Sequence, residues 1–161
     1  MPTKLSPGSG FALRFFSYLL LCSVAFWAFS LHRHLAPVQR TIASLSAMTA
    51  RGMGGHIRAH GHDIVVSGLV MNVNHECTGI FVCMLFASFV LAYPASWASR
   101  FGALAIGIPL FSFVNVFRLA TLARVAEIYP NAFFYLHEYV WQGILMVCVL
   151  AGALAWAEKY G

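Results

Sequence analysis

A thiol, a guanidinium and an imidazole stand out in a chain that is otherwise mostly apolar. Cys77 sits in Asn74-His75-Glu76-Cys77-Thr78-Gly79-Ile80, where a polar segment gives way to an apolar run. The other cysteines, Cys22, Cys83 and Cys148, lie inside apolar runs and read as small packing residues. A cysteine at the N-terminal edge of a helix meets unpaired N–H groups and the positive end of the helix dipole, which favour a thiolate. Thr78-Gly79 leaves little bulk beside the sulfur, so a peptide backbone can approach it. Arg118 lies in Phe113-Val114-Asn115-Val116-Phe117-Arg118-Leu119-Ala120. A charge within an apolar helix is expensive and usually faces an internal cavity. The competing reading is an arginine snorkelling to the headgroups. Asn115, three residues earlier, shares the face of Arg118, and the pair can present donors to the oxyanion of a tetrahedral intermediate. His137, in Leu136-His137-Glu138-Tyr139-Val140-Trp141-Gln142, can take a proton from a thiol and return it to a leaving amine. Its competing reading is a place in an interfacial aromatic belt with Tyr135, Tyr139 and Trp141.

A second cluster is His56, His60 and His62. In a strand, residues 60 and 62 share a face, which would suit a metal site in a loop. No cysteine or carboxylate beyond Asp63 completes a ligand pattern, so polar strand-and-turn residues are the better reading. The cysteines show no disulfide or zinc spacing. No metal and no cofactor are expected.

The elements that must position these groups are membrane helices. Of 161 residues, 60% are hydrophobic and 9% charged. A soluble domain carries roughly 25% charged residues. The net charge of +5 is spread along the chain, with no basic block or basic helix face, which argues against nucleic acid and for a lipid bilayer as partner. The fold class expected is an all-α polytopic membrane protein forming a single domain over residues 1–161. Four transmembrane helices are expected, at 11–31, 79–94, 101–122 and 132–157. The first reads as an uncleaved anchor, because its apolar core exceeds the usual signal-peptide length. The second is short for a crossing. Pro109 should kink the third, and Asn131 can cap the fourth.

An extramembrane insert spans residues 32–77. Val38, Ile42, Leu45 and Met48 or Thr49 recur at helical spacing, which predicts an amphipathic helix on the membrane surface or over the bundle. The runs His56–His60, Asp63–Val66 and Leu69–Asn74, separated by Gly61-His62 and Ser67-Gly68, predict a short β-hairpin or three-strand meander. Its last strand delivers the chain to Cys77. With four crossings, Cys77 precedes the second span, Arg118 ends the third and His137 begins the fourth, so all three share the face opposite the termini. Charge does not orient the bundle: Lys4, Arg14, Arg100 and Lys159 on one side oppose Arg33, Arg40, Arg51, Arg58, Arg118 and Arg124 on the other.

The order Cys, then Asn-x-x-Arg, then His resembles the exosortase/archaeosortase family. Glu76-Cys77-Thr78-Gly79, Asn115-Val116-Phe117-Arg118-Leu119 and His137 with Glu138-Tyr139-Val140-Trp141-Gln142 carry the likeness. Pro94-Ala95-Ser96-Trp97 and Trp141-Gln142 look most like the compact exosortase H branch. The resemblance implies a bacterial inner-membrane enzyme with cytoplasmic termini and a site facing the periplasm. It implies substrates that are secreted proteins ending in a sorting motif, a membrane helix and a basic tail. Cys77 is then the nucleophile that forms a thioester, Arg118 the oxyanion or substrate clamp and His137 the acid/base. Asn115, Glu76, Thr78, Gly79, Glu138 and Gln142 would support substrate or catalyst. The acceptor (lipid, amine or water) is left open, because the chain lacks the extra helices of longer members. The alternative is a non-catalytic membrane subunit, a transport component or assembly scaffold, whose Cys, Arg and His are structural glue between helices.

Overall fold

The computed structural model describes residues 7–29 and 31–160. Helix α1 (Pro7–Ala28) begins before the expected boundary at residue 11 and ends before that at residue 31, and Leu31–His34 is a separate 3₁₀ turn. Leu20, Leu21 and Val24 of α1 are exposed, whereas Phe26 is buried, as befits a helix whose surroundings are lipid. Helix α3 (Ile80–Ala92) runs antiparallel to α1. Phe11 meets Phe89 at one end, and Phe26 meets Phe81 at the other.

Among the described residues, three helical stretches are long and apolar enough to cross a bilayer: Gly8–Ala28, Trp97–Ile128 and Pro130–Tyr160. The second of the four expected spans is not of that kind. At 13 residues, α3 is about 20 Å long, against a hydrocarbon core of about 30 Å. The chain leaves α3 at Tyr93 and turns through Pro94–Ser96. The Ser96 hydroxyl accepts the Ser99 N–H to start helix α4 (Trp97–Ile128).

Helix α4 has 32 residues and is about 48 Å long, with Pro109 inside it. It continues past residue 122, the expected end of the third span. Arg124 and Glu127, which broke the apolar pattern, pair with each other, and Glu127 accepts the His56 N–H at 3.0 Å. After Tyr129 comes a 3₁₀ turn (Pro130–Ala132), a short α5 (Phe133–Tyr135), a π turn (Leu136–Val140) and helix α6 (Trp141–Tyr160). Asn131 lies inside the 3₁₀ turn, and no side chain caps α5.

The insert folds as helix α2 (Ala36–Gly52) and an antiparallel meander of β1 (Ile57–His60), β2 (Asp63–Val66) and β3 (Leu69–Asn72), in the order β1-β2-β3. The turn at Ser67-Gly68 has both residues at positive φ, 46° and 87°, the geometry of a two-residue hairpin turn. The buried face of α2 is not the expected stripe. Ile42, Ala43, Ser46, Ala47 and Ala50 are buried, while Val38, Leu45 and Met48 are exposed. Small residues win that face because α2 lies closely on α4, whose own contribution there includes Ala120, Ala123 and Ala126.

Among the described residues, two hydrophobic cores result. One lies in the bundle around Phe86, Val90, Phe111, Val149, Ala153 and Trp156. The other lies in the cap, where Ile57, Ile64, Val66 and Met71 of the sheet meet α2 and Leu119–Ala126 of α4. Helix α4 contributes buried residues to both, and Trp141 at the start of α6 also packs against the cap core.

Candidate active site at the seam of two cores

Cys77 lies in a 3₁₀ turn, Glu76–Thr78, between the sheet and α3. Asn74 builds this turn: both its carbonyl oxygen, at 3.1 Å, and its side-chain Oδ1, at 3.0 Å, accept the Cys77 N–H. The Thr78 hydroxyl donates to the His75 carbonyl at 2.6 Å. Gly79 then adopts φ 76° to redirect the chain into α3, a conformation that costs a β-carbon-bearing residue dearly. A Cβ there would also lie 3.0 Å from Asn115 Cγ.

Asn115 does a different job from the one its spacing suggests. It is fully buried and donates its amide to the Cys77 carbonyl at 2.7 Å. It therefore ties the cysteine turn to α4 rather than sharing a target with Arg118. Arg118, one turn further along α4, is 6% exposed. Its Nη2 lies 3.4 Å from His137 Nε2. With Arg118 as donor, Nε2 carries the lone pair and the proton sits on Nδ1, which faces Glu138 Oε2 at 3.7 Å. Phe133 stacks on the His137 ring, centroid to centroid at 5.7 Å. The π turn holds both His137 and Glu138; such one-turn widenings recur at functional sites.

Cys77, Arg118 and His137 line one cavity of about 680 Å³, with Glu76, Gly79, Glu138 and Gln142 also on its wall. Thr78 and Asn115 stand behind the wall. Among the described residues no hydrogen bond joins the Cys77 sulfur to His137. The expected helix-edge thiolate is corrected by the geometry. Cys77 precedes α3 by three residues, its own N–H is taken by Asn74, and burial pushes the thiol above its ordinary pKa. The positive charge of Arg118 opposes that rise without cancelling it.

The cavity sits at the end of the bundle away from Pro7 and Tyr160. Phe11 meets Tyr93 at one end, and Tyr160 shares a groove with Ser96 there. At the other end are Cys77, Asn115 and His137. A model of transmembrane exosortases matches residues 7–157. The chain belongs to the transmembrane exosortase family. No curated protein and no solved structure matches it. Within this exosortase fold, the weak metal candidates His56, His60 and His62 are not drawn together. His62 falls in the β1–β2 turn rather than in a strand, and the described residues contain no group of three or more metal-ligating side chains.

Sequence reasoning passed over three contributors. Asn74 carries the Asx signal for a turn three residues before the cysteine. Phe133 is four residues from His137, the spacing of neighbours on a helix. The residues of β3 line the cavity along the whole strand, which only the sheet register reveals.

Proposed function

We propose that this exosortase-family chain is a cysteine transpeptidase or endopeptidase that processes the C-terminal sorting tails of secreted proteins. The observation that carries the proposal is the gathering of Cys77, Arg118 and His137, from three separate segments, around one cavity. In this reading the thiol is stored neutral and activated on demand. His137 Nε2 takes the proton as Sγ attacks the scissile carbonyl. The S–C bond forms, and Arg118 stabilises the oxyanion. The C–N bond then breaks, and His137 returns the proton to the leaving amine. The thioester is released by an acceptor nucleophile: an amine, a lipid or water. Asn115 holds the cysteine turn in register throughout. The site faces the periplasm and the termini are cytoplasmic, in the bacterial inner membrane.

The test is co-expression with a tailed substrate. Cys77→Ser, Arg118→Ala and His137→Ala each stop processing while the chain still accumulates in the membrane. Normal processing by Cys77→Ser would end the proposal. Loss of folded protein in all three, with Cys77 closed to thiol reagents, would favour the scaffold reading instead.

A further inference from the structure

The meander has two edges, and they are treated differently. β1 packs against α2 through its inner face, where Ile57, Ile64 and Met71 are buried, while Arg58, Ala59 and His60 are exposed and lie away from the cavity. The other edge, β3, lies alongside β2 alone. It forms one wall of the cavity, from Leu69 through Asn74, and leads directly to Cys77.

The register says which backbone groups of β3 are free. The two-residue turn makes Val66↔Leu69 a hydrogen-bonded pair, and the pattern then alternates, so Ile64↔Met71 is bonded next. The Val73 N–H to His62 carbonyl bond, at 3.0 Å, continues that alternation. Val70 and Asn72 therefore point their N–H and C=O groups away from β2, toward the cavity. The Asn72 carbonyl accepts the Asn74 N–H at 3.2 Å, and its side chain donates to Asp63. The Val70 N–H, the Val70 C=O and the Asn72 N–H have no partner among the described residues. Val70 is 61% exposed.

We propose that β3 is the substrate-binding strand: the segment preceding the scissile bond adds to its free edge as a fourth, parallel strand. This rests on the reading of Cys77 as nucleophile of a membrane-anchored tail. The polarity follows from the fold. The sheet lies in the cap, while α3 leads from Cys77 into the bundle core. The anchored part of the tail follows the cut toward the bundle, so the part before it lies along β3. Since β3 itself runs toward Cys77, the two strands are parallel. One substrate residue then donates its N–H to the Val70 carbonyl and accepts the Asn72 N–H, while its neighbours on either side do not donate to β3. Main-chain bonds supply the affinity, so the site takes an extended peptide with limited demand on side chains.

The test uses the full-length protein in lipid nanodiscs and a tetra-alanine chloromethyl ketone, whose carbon–chlorine bond is displaced by the Cys77 sulfur with loss of chloride. Its alkylation rate is compared with that of iodoacetamide by mass spectrometry. The peptide reagent is the faster of the two. Methylation of one backbone nitrogen lowers its rate about fivefold, and methylation of the adjacent nitrogens does not. Val70→Pro, which removes an outward N–H at a position where an edge strand tolerates proline, lowers the ratio of peptide to iodoacetamide rate, and Val70→Thr restores it. A flat N-methyl scan overturns the strand-addition proposal while leaving Cys77 a competent nucleophile. Failure of both reagents to label Cys77 overturns this proposal and the assignment of the nucleophile together.

Discussion

The two cores of this chain are built by opposite rules. In the bundle, large apolar residues face outward as often as inward: Leu21 of α1, Ile106 of α4 and Val147 of α6 are all well exposed. In the cap, the buried face of α2 is mostly small residues and the sheet contributes Ile57, Ile64, Val66 and Met71, while Val38, Leu45, Met48 and Val70 stay exposed. The difference is one of solvent. Lipid is as apolar as leucine, so burial does not sort residues within the bundle, whereas the sheet of the cap keeps Ile57, Ile64 and Val66 inside and Arg58, His60 and Asn72 outside. The seam between the two regimes is where a charged arginine can be buried on a long helix and still reach a polar cavity. Arg118 occupies that seam.

The comparison is most severely tested where the seam meets the chemistry. Cys77→Ser removes the nucleophile, and processing falls by about 10³-fold or more, read as unprocessed substrate on immunoblots. Next in size are substitutions that crowd the tightest contacts. Gly79→Ala forces a β-carbon into left-handed backbone against Asn115 and costs about 1–3 kcal/mol. Ala47→Leu wedges α2 from α4 and costs about 1–3 kcal/mol. Both appear as lower midpoints of thermal unfolding in detergent, with the Gly79 variant also losing processing.

A smaller effect concerns charge. Because burial raises the thiol pKa, the thiolate fraction of Cys77 grows only as pH climbs past the ordinary thiol range, so iodoacetamide labelling rises late with pH. Arg118→Gln removes the charge that opposes this and moves the labelling profile to still higher pH. The smallest effect is on the lipid side. Leu21→Ala, at a position 67% exposed, changes stability by less than about 0.5 kcal/mol. A loss there as large as at Ala47 would mean that α1 is packed against something other than lipid.

The parts of the fold legible in sequence were those with local signals. Gly61-His62 and Ser67-Gly68 marked the meander turns, and the strands β2 and β3 begin where the Ile- and Val-rich runs and the turn residues placed them. Apolar runs located all the long helices. Their ends were harder, because hydropathy reports contact with lipid and not where hydrogen bonding stops. The stretch after residue 122 read as a short loop or a continued helix, and it is helix through Ile128, where Arg124 and Glu127 pair and Glu127 holds the His56 N–H. Of the apolar stripe read on α2, Ile42 is buried against the bundle and Val38, Leu45 and Met48 are exposed, because the close approach of α2 to α4 admits mainly small residues. At the site, Cys77, Arg118 and His137 line one cavity, whereas their meeting as read from sequence order leaned on four crossings, and three helical stretches among the described residues are long and apolar enough to cross. The role of Asn115 was not legible, since its partner is a backbone carbonyl 38 residues away. Nor was the π turn, which no local residue type announces.

The central claim is that the sulfur of Cys77 is acylated during turnover. Mass spectrometry of the full-length protein, isolated from cells expressing a tailed substrate, reads this directly. The account predicts a substrate fragment attached at Cys77 through a hydroxylamine-labile bond, absent from Cys77→Ser. Continued processing by Cys77→Ser, with no adduct at residue 77 in the unmodified chain, would contradict it.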